Sequence, residues 1–384
     1  ATIFGSEIHR YTLANGIEDG NVLGFDPYKV TLHNDYDLRH KIALMKAKAD
    51  TDEEVMQDPK KKKIFNKYMD SSQVKMYGER VGDKWIAGIE DYISNEQYQT
   101  QEYKMGLISD IKKKWTVYSQ GGLFHAIFAT SSIPEAVSYY KLMKDEMPNL
   151  HITAMFDPSI DNEGGGSLDK EDGIVQILED YEKMFSQLFT IPSYDKFRKD
   201  VSLRLSHKKP YNAITKDQQI DILIVVNQML TGFDSKWVNT LYLDKIMEYE
   251  NLIQAFSRTN RLFNSSDKPF GIIKYYRRPH TMEKNIDAAV KAYSGDVPTG
   301  LFVDKLPKNL NNMNRLYDDI ADLFNNAKYE NKPILNFEHL PDASSERSKF
   351  AKLFKQFTLH LEAALIQGFS WEIDTYDFDD GTRA

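Results

Sequence analysis

The feature that most constrains the fold is a nearly unbroken run of β-branched and other apolar residues from Ile220 to Val226. A run this short and this apolar is typical of a strand that is buried on both faces of a parallel sheet. Further strand-like runs, separated by segments of helical period, span residues 124–129, 151–156, 240–243 and 270–274. Because parallel neighbours require crossover helices, this succession predicts a three-layer α/β lobe between residues 116 and 278.

The regions on either side of this lobe have other patterns. Residues 41–115 are rich in Lys, Glu, Gln and Met and contain few Gly or Pro, which predicts a helical insertion or connector. Residues 279–384 carry apolar side chains at helical spacing and predict an all-helical region, whose faces form a bundle core or a docking surface for another subunit. Residues 1–40 are predicted to be a connector that contains an edge-type strand near Tyr28 and Val30.

Two local signals add detail to this organisation. Ser132 and Glu135 form a Ser-x-x-Glu capping box, which predicts a helix that continues to about Lys144. Four consecutive lysines, Lys60–Lys63, indicate a solvated helix start or, alternatively, a contact with phosphate.

The composition excludes several kinds of site. The chain has no cysteine, which rules out disulfides and thiolate zinc sites, and its nine histidines form no ligand pair, so no metal site is expected. The net charge of -8 indicates that a nucleic-acid partner must be met by local basic patches. No run approaches the ~20 apolar residues that cross a bilayer, so we expect a soluble, cytoplasmic protein without a membrane partner.

One motif with possible phosphate chemistry lies downstream of the buried strand. Gln254, Arg258 and Arg261 are spaced i, i+4 and i+7, which would place an amide and two guanidinium groups on one helix face. The planar fork of arginine binds phosphate oxygens in pairs and stays charged. The helix follows a strand whose carboxyl end should lie at the ligand-binding edge of the sheet. Without that context, such a face is usually a surface salt-bridge network.

A second motif occupies the turn that follows the buried strand. Thr231, Gly232 and Asp234 lie where backbone N–H groups can meet an anion, and Asp234 can fix an arginine or a ribose. A plain turn with an aspartate cap is the alternative interpretation of this turn taken alone.

Together these motifs resemble a known family of nucleic-acid motors. The block from Ile220 to Arg261 is similar to motifs V and VI of superfamily 2 helicases, and more closely to those of the motor (R) subunit of type I restriction endonucleases. Leu230-Thr-Gly-Phe-Asp234 and Phe256-Ser-Arg-Thr-Asn-Arg261 carry this closer resemblance. Phe124–Ser132 resembles the family's motif IV. Phe4–Gly5, His9–Tyr11 and Gly16–Leu23 resemble its connector between two RecA-like lobes, and Phe350–Phe354 resembles the start of its helical region.

The resemblance implies a role for each site residue. Residues 116–278 would be the second RecA-like lobe, and Arg258 and Arg261 would be arginine fingers for the γ-phosphate of ATP that the other lobe holds with Mg²⁺. Gln254 would sense the nucleotide. The turn residues Thr231, Gly232 and Asp234 would couple the nucleotide state to DNA.

The resemblance also implies partners. Thr130 and Ser131, at the end of a strand, would contact the phosphate backbone of double-stranded DNA, although simple helix capping is the alternative role for both. The family assembles with methyltransferase and specificity subunits in the bacterial or archaeal cytoplasm. The parent enzyme would translocate and then cleave DNA.

The sequence also departs from the family's full set of motifs. It contains no Gly-x-x-x-x-Gly-Lys-Ser/Thr phosphate loop, no Asp-Glu-x-His motif and no recognisable nuclease cluster, all of which we expect before Ala1. The chain alone is therefore predicted neither to hydrolyse ATP nor to cut DNA. The alternatives are the second lobe of another superfamily 2 helicase or remodeller, and a non-catalytic interaction scaffold. A Rossmann dehydrogenase is excluded because no strand is followed by Gly-x-Gly-x-x-Gly.

Overall fold

The computed structural model describes residues 12–157, 167–226, 229–230, 232–264, 267–293, 301–378 and 383. Strands and helices are numbered separately in chain order. The strands are β1 (Phe25–Lys29), β2 (Glu79–Val81), β3 (Lys84–Ile86), β4 (His125–Thr130), β5 (Ile152–Met155), β6 (Ile222–Val225), β7 (Val238–Asp244), β8 (Gly271–Tyr275), β9 (Lys328–Tyr329) and β10 (Lys332–Pro333). The helices are α1 (Leu13–Glu18), α2 (Asp35–Ala47), α3 (Asp52–Gln57), α4 (Pro59–Met69), α5 (Asn95–Gln99), α6 (Gln101–Tyr118), α7 (Ile133–Glu146), α8 (Ser167–Phe185), α9 (Tyr194–Ser206), α10 (Tyr249–Phe256), α11 (Pro279–Tyr293), α12 (Leu306–Asn326) and α13 (Ser344–Gln367).

A parallel sheet of six strands forms the centre of the fold, in the order β1-β8-β7-β4-β6-β5. Every residue of β4, β6, β7 and β8 is buried, because helices cover both faces of these strands. The α/β lobe predicted from the run at Ile220–Val226 is thus confirmed. The other predicted strands of the lobe are present at the expected positions, with their ends shifted by up to two residues.

The predicted helix after Ser132 is present, but its capping box is only half formed. The Ser132 hydroxyl accepts a hydrogen bond from the Glu135 N–H at 3.4 Å, as predicted. The Glu135 carboxylate, however, accepts from the Ser131 N–H and pairs with Arg277 instead of closing the box. The sequence motif therefore identified the helix start correctly and the partner of the glutamate incorrectly.

The region predicted to be a helical insertion is more varied than its composition suggests. It contains the antiparallel hairpin β2–β3. Each of these strands has three residues, which is too short to show an alternating strand pattern in the sequence. Its last helix, α6, buries Leu107, Ile108 and Ile111 in the main core and so belongs to the layers of the lobe. Strand β1, inside the predicted connector, is an edge strand of the sheet. The domain boundaries themselves stay predictions.

The insertion is anchored at the carboxyl edge of the sheet, meaning the edge where the parallel strands end. Helix α2 follows the end of β1, and its Asp35 pairs with His280 at 2.8 Å. The carboxylate of Glu90 accepts hydrogen bonds from the backbone N–H groups of His280 and Thr281, at the start of α11. Because α11 follows β8, these contacts fix the insertion beside the ends of β1 and β8.

The C-terminal region, predicted to be all-helical, contains the long helices α12 and α13 with the short hairpin β9–β10 between them, and a buried aspartate ties the two helices to the edge strand. Asp26 of β1 is fully buried and forms an ion pair with Lys305, just before α12. Its carboxylate also accepts from the Gln367 amide of α13 at 2.9 Å. The segment around Phe302 bonds along β1 and so covers the exposed edge of the sheet. Within the described residues, no helix is long and apolar enough to span a membrane.

Two histidines are coupled at the amino end of β4. His125 is buried, and its Nδ1 lies 2.6 Å from the carbonyl of Ile220, so this nitrogen is the protonated one. Its Nε2 must then accept from the Nε2–H of His207, 2.8 Å away. Burial, with the neighbouring His207, lowers the pKa of His125 to about 3; burial and Lys236 lower the pKa of His207 to about 4.

These depressed pKa values predict acid sensitivity. Below pH ~6.5 both histidines become protonated in the unfolded chain but stay neutral in the folded one. The free energy of unfolding should therefore fall by a few kcal/mol between pH ~6.5 and ~4. Urea denaturation at several pH values measures this loss. The variant His207→Gln, whose amide can still donate to His125, should lose less stability over that interval, whereas the exposed control His339→Gln should behave as wild type. Equal losses in wild type and His207→Gln would contradict this account.

Candidate functional site

The candidate arginine site is built by two segments, the loop between β6 and β7 and the chain that follows α10. Within the loop, Gly232 has φ +72°, a left-handed conformation that glycine adopts without strain. This turn brings Phe233 and Asp234 against Arg258 and Arg261. Thr231 lies outside the described residues, so its predicted role stays untested.

Helix α10 ends at Phe256, before either arginine, so the predicted single helix face is wrong. The N–H groups of Arg258 and Thr259 bond to the carbonyls three residues back, at 3.1 and 2.9 Å, so the chain leaves the α-helical pattern here. The hydroxyls of Ser257 and Thr259 add bonds to the carbonyls of Ile253 and Phe256, at 2.8 and 2.9 Å. Thr259 is fully buried against β8, where a Cβ on Gly271 would lie 2.1 Å from its hydroxyl. The next residue is bonded to the connector, since the Asn260 carbonyl accepts from the Leu23 N–H.

The two arginines are nevertheless brought together, by the loop and not by the helix. The Arg258 Nε–H donates to the carbonyl of Gln254 at 3.1 Å, and one terminal nitrogen donates to the carbonyl of Phe233. Burial lowers the pKa of Arg258, and the charge of Arg261 acts in the same direction. Arginine still remains charged at neutral pH, so this site favours an incoming anion.

Asp234 fixes an arginine, one of the two roles the sequence suggested for it. Its carboxylate forms an ion pair with the Nε–H of Arg261, and both side chains are solvent-accessible. Within the described residues, the two terminal nitrogens of Arg261 and one of Arg258 have no hydrogen bond. Gln254 instead donates to Glu250 on its own helix, at 2.6 Å. The site therefore presents unused guanidinium donors to solvent.

The arginine site does not lie at the carboxyl edge of the sheet, where the sequence placed it. A helix that follows a parallel strand runs back along it, so the end of α10 returns toward the amino end of β7. Asp234 also lies just before the first residue of β7, Val238. The nearby buried Lys268 donates to the carbonyls of Lys236 and Val238, and burial together with Arg261 lowers its pKa to about 7.

The two predicted DNA contacts do lie at the carboxyl edge. Thr130 is fully buried, and its hydroxyl donates to the carbonyls of Ser132 and Val225. The Ser131 hydroxyl donates to the Asp244 carbonyl at 3.2 Å and accepts from Arg277 at 2.8 Å. In this conformation the Thr130 hydroxyl is not accessible to a phosphate, whereas Ser131 is exposed at this edge. Their contacts with DNA stay predictions.

A buried ionic network at the same edge was missed by sequence reasoning. Asp244, at the end of β7, accepts from two nitrogens of Arg277, at 3.2 and 3.3 Å. It also accepts from the hydroxyls of Tyr103 and Tyr139, at 2.9 and 2.8 Å, while Arg277 binds Glu135 at 3.0 Å. Burial raises the pKa of Asp244 to about 6, against the opposing effect of Arg277. The signal in the sequence was Asp244 itself, a charged residue at the end of an otherwise apolar strand, which indicates a buried cationic partner.

A concave surface of about 300 Å³ lies beside the β6–β7 loop and was also missed. Gly232 and Phe233 line one side of it, and Arg198 and Lys199 of α9 line the other. Arg198 is paired with Asp195 at 3.4 Å. The described residues contain no cluster of His, Asp or Glu that could hold a metal ion.

The buried network should contribute strongly to stability. Replacing Arg277 with Met leaves the carboxylates of Asp244 and Glu135 buried without their cation, so we expect the free energy of unfolding to fall by about 3–5 kcal/mol. The matched control is Arg198→Met: that arginine pairs with Asp195 at 3.4 Å on the protein surface, and its loss should cost about 1 kcal/mol or less. Denaturant titration measures both values, and similar losses would contradict the assigned importance of the network.

Comparison with known proteins bears directly on this lobe. Residues 122–278 match the family model described as type I restriction enzyme subunit R domain 3. An endonuclease subunit of a type I restriction enzyme from Staphylococcus aureus (strain COL) is 28% identical, over 99% of this chain and 35% of the relative. A corresponding subunit from Staphylococcus saprophyticus is 29% identical, over 77% of this chain and 27% of the relative.

The chain thus spans about a third of the length of the S. aureus relative. A solved structure of the DNA-bound, ATP-dependent type ISP restriction-modification enzyme LlaBIII aligns with 93% of this chain and 18% of its own at 11% identity, but the TM-score of 0.31 is too low to bear on the fold. The sequence matches confirm the resemblance: the chain is similar along almost its whole length to an endonuclease subunit of a type I restriction enzyme, and residues 122–278 match the model of domain 3 of subunit R.

Proposed function

We propose that residues 116–278 are the second RecA-like lobe of a type I restriction endonuclease motor subunit, a superfamily 2 translocase that moves double-stranded DNA with ATP. The observation that carries this proposal is the arginine site. Arg258 and Arg261 are held side by side by the β6–β7 loop, and each keeps guanidinium donors without a protein partner in the described structure.

These donors fit a phosphate group. The three unused terminal nitrogens carry N–H groups in the planar geometry that phosphate oxygens accept in pairs. Burial and, to a smaller extent, the neighbouring charge of Arg261 lower the pKa of Arg258, so an anion bound at the site would stabilise its charged form. Arg258 and Arg261 would stabilise charge on the γ-phosphate of ATP, which an opposing lobe would bind with Mg²⁺.

The β6–β7 loop is suited to couple this site to DNA. It leaves the sheet at Val226, on the carboxyl edge, and reaches the arginines through Phe233 and Asp234. DNA would lie along the carboxyl edge near Ser131. A movement of the β6–β7 loop would therefore affect both the arginine site and the DNA contacts. Gln254, already bonded to Glu250, would exchange that bond for the nucleotide.

The remaining functions of the complex would belong to other segments and subunits. Methyltransferase and specificity subunits would supply DNA methylation and target recognition, with the C-terminal helices as their dock, in the cytoplasm. Because the 384 residues contain no phosphate loop, the chain alone should hydrolyse no ATP. Appreciable ATP turnover by the purified chain, abolished by Arg258→Ala, would overturn this statement.

The arginine assignment can be tested in the full-length subunit assembled with its DNA-binding partners. Arg258→Ala and Arg261→Ala should each lower DNA-dependent ATP turnover by about a thousandfold, because an arginine finger stabilises charge in the transition state. Arg80→Ala, which removes an exposed arginine of β2, is the matched control and should leave turnover unchanged. Turnover within a few-fold of wild type in both finger variants would exclude the assignment.

A further inference from the structure

Helix α4 has an unusual charge distribution for a short surface helix. Its residues include Lys60, Lys61, Lys62, Lys63 and Lys67, and no Asp or Glu. Within the part of the chain that the structure describes, only Lys61 forms an ion pair, with Glu54 of α3 at 3.5 Å. The side-chain ammonium groups of the other four lysines have no ion pair or hydrogen bond to any described residue. The helix therefore holds a concentration of unbalanced positive charge in a chain whose net charge is -8.

Three of these lysines form a continuous stripe. At 100° per residue, Lys60, Lys63 and Lys67 lie on one face, almost opposite Phe65, which is buried against Ala43 and Ala47 of α2. All three side chains are exposed, and the stripe extends about 10 Å along the helix. We define these residues as the lysine stripe.

The stripe works against the stability of its own helix. Positive charges near a helix N-terminus oppose the macrodipole, and like charges spaced i, i+3 and i, i+4 repel one another. The Asp58 carboxylate offsets part of this by accepting from the N–H groups of Lys60 and Lys61. Among nearby carboxylates of α3, Asp52 is bonded to His40 and Glu54 to Lys61, which leaves Glu53 as the unpaired one. A polyanionic partner would relieve the repulsion.

The position of α4 favours nucleic acid as that polyanion. Helix α4 packs on α2, and α2 is anchored to the carboxyl edge of the sheet by the Asp35–His280 pair. The candidate contact Ser131 lies at the same edge. The lysine ammonium is a point charge with rotatable donors. An exposed row of lysines can therefore bind backbone phosphates, but it does not distinguish one base sequence from another.

We propose that the lysine stripe is a second contact with the phosphate backbone of double-stranded DNA, outside the helicase-like lobe. This inference rests on the proposed function, which places DNA along the carboxyl edge. The stripe would bind without sequence preference and would extend the DNA path from the lobe onto the insertion.

The test uses the 384-residue chain and a short fluorescent duplex of random sequence. Binding is measured by anisotropy between about 50 and 200 mM salt. In the triple variant Lys60→Gln, Lys63→Gln, Lys67→Gln, we expect affinity at low salt to fall at least about tenfold and the salt slope to fall by about 2 to 3.

The matched control replaces Lys112, Lys113 and Lys114 with Gln. These exposed lysines on α6 carry the same total charge, but they lie near the helix end that leads to the amino end of β4. The control should keep the wild-type slope. Thermal unfolding should show that the stripe variant is as stable as wild type or more stable, because it removes like-charge repulsion.

The outcomes separate the two proposals. If wild type binds duplex and the stripe variant keeps its affinity and slope, the stripe proposal fails, the proposed function stands, and an acidic protein surface becomes the partner to test. An equal loss in the α6 control would also overturn the stripe, since total charge would then explain binding. If wild type binds no duplex at low salt, both the stripe and the DNA path along the lobe fail.

Discussion

The buried pair of Asp244 and Arg277 is the interaction on which the carboxyl edge depends. It joins the ends of β7 and β8, and through Glu135 and Tyr103 it also holds the starts of α7 and α6. Charges removed from water are costly unless hydrogen bonds satisfy them, and here hydroxyls and carboxylates fill the coordination of both groups. The position of Ser131 follows from this network, because Arg277 donates to its hydroxyl.

At the amino end of the sheet, a loop and not a buried ion pair positions the functional side chains. There the two arginines are placed by a loop whose carbonyl and carboxylate accept from their guanidinium groups. The acceptor for Arg258 is the backbone carbonyl of Phe233, which belongs to the loop. If Arg258 moves, the loop must move with it or this hydrogen bond is lost. The proposed nucleotide site and the proposed DNA path lie at opposite ends of the sheet. The β6–β7 loop would link them directly, so the sheet itself would not need to move.

Polar anchors also position the parts that are added to the lobe. Asp26 ties α12 and α13 to the edge strand, and Glu90 with Asp35 ties the insertion to the start of α11. Each anchor is a carboxylate that receives donors from a distant segment. Such bonds have directional requirements that apolar packing lacks, and they give the lysine stripe of α4 a fixed position relative to the sheet.

The sequence by itself determined the parallel sheet, because the apolar run Ile220–Val226 has one stable environment, a strand covered on both faces. It also singled out Arg258, Arg261 and Asp234 as candidate site residues, because charged side chains of these types restrict the chemistry that is possible. Only the tertiary structure decided where they lie. Helical spacing placed Arg261 on α10, but burial of Thr259 against Gly271 and the bond from Leu23 to Asn260 ended the helix early. Those contacts join residues far apart in the chain, so no local pattern could reveal them.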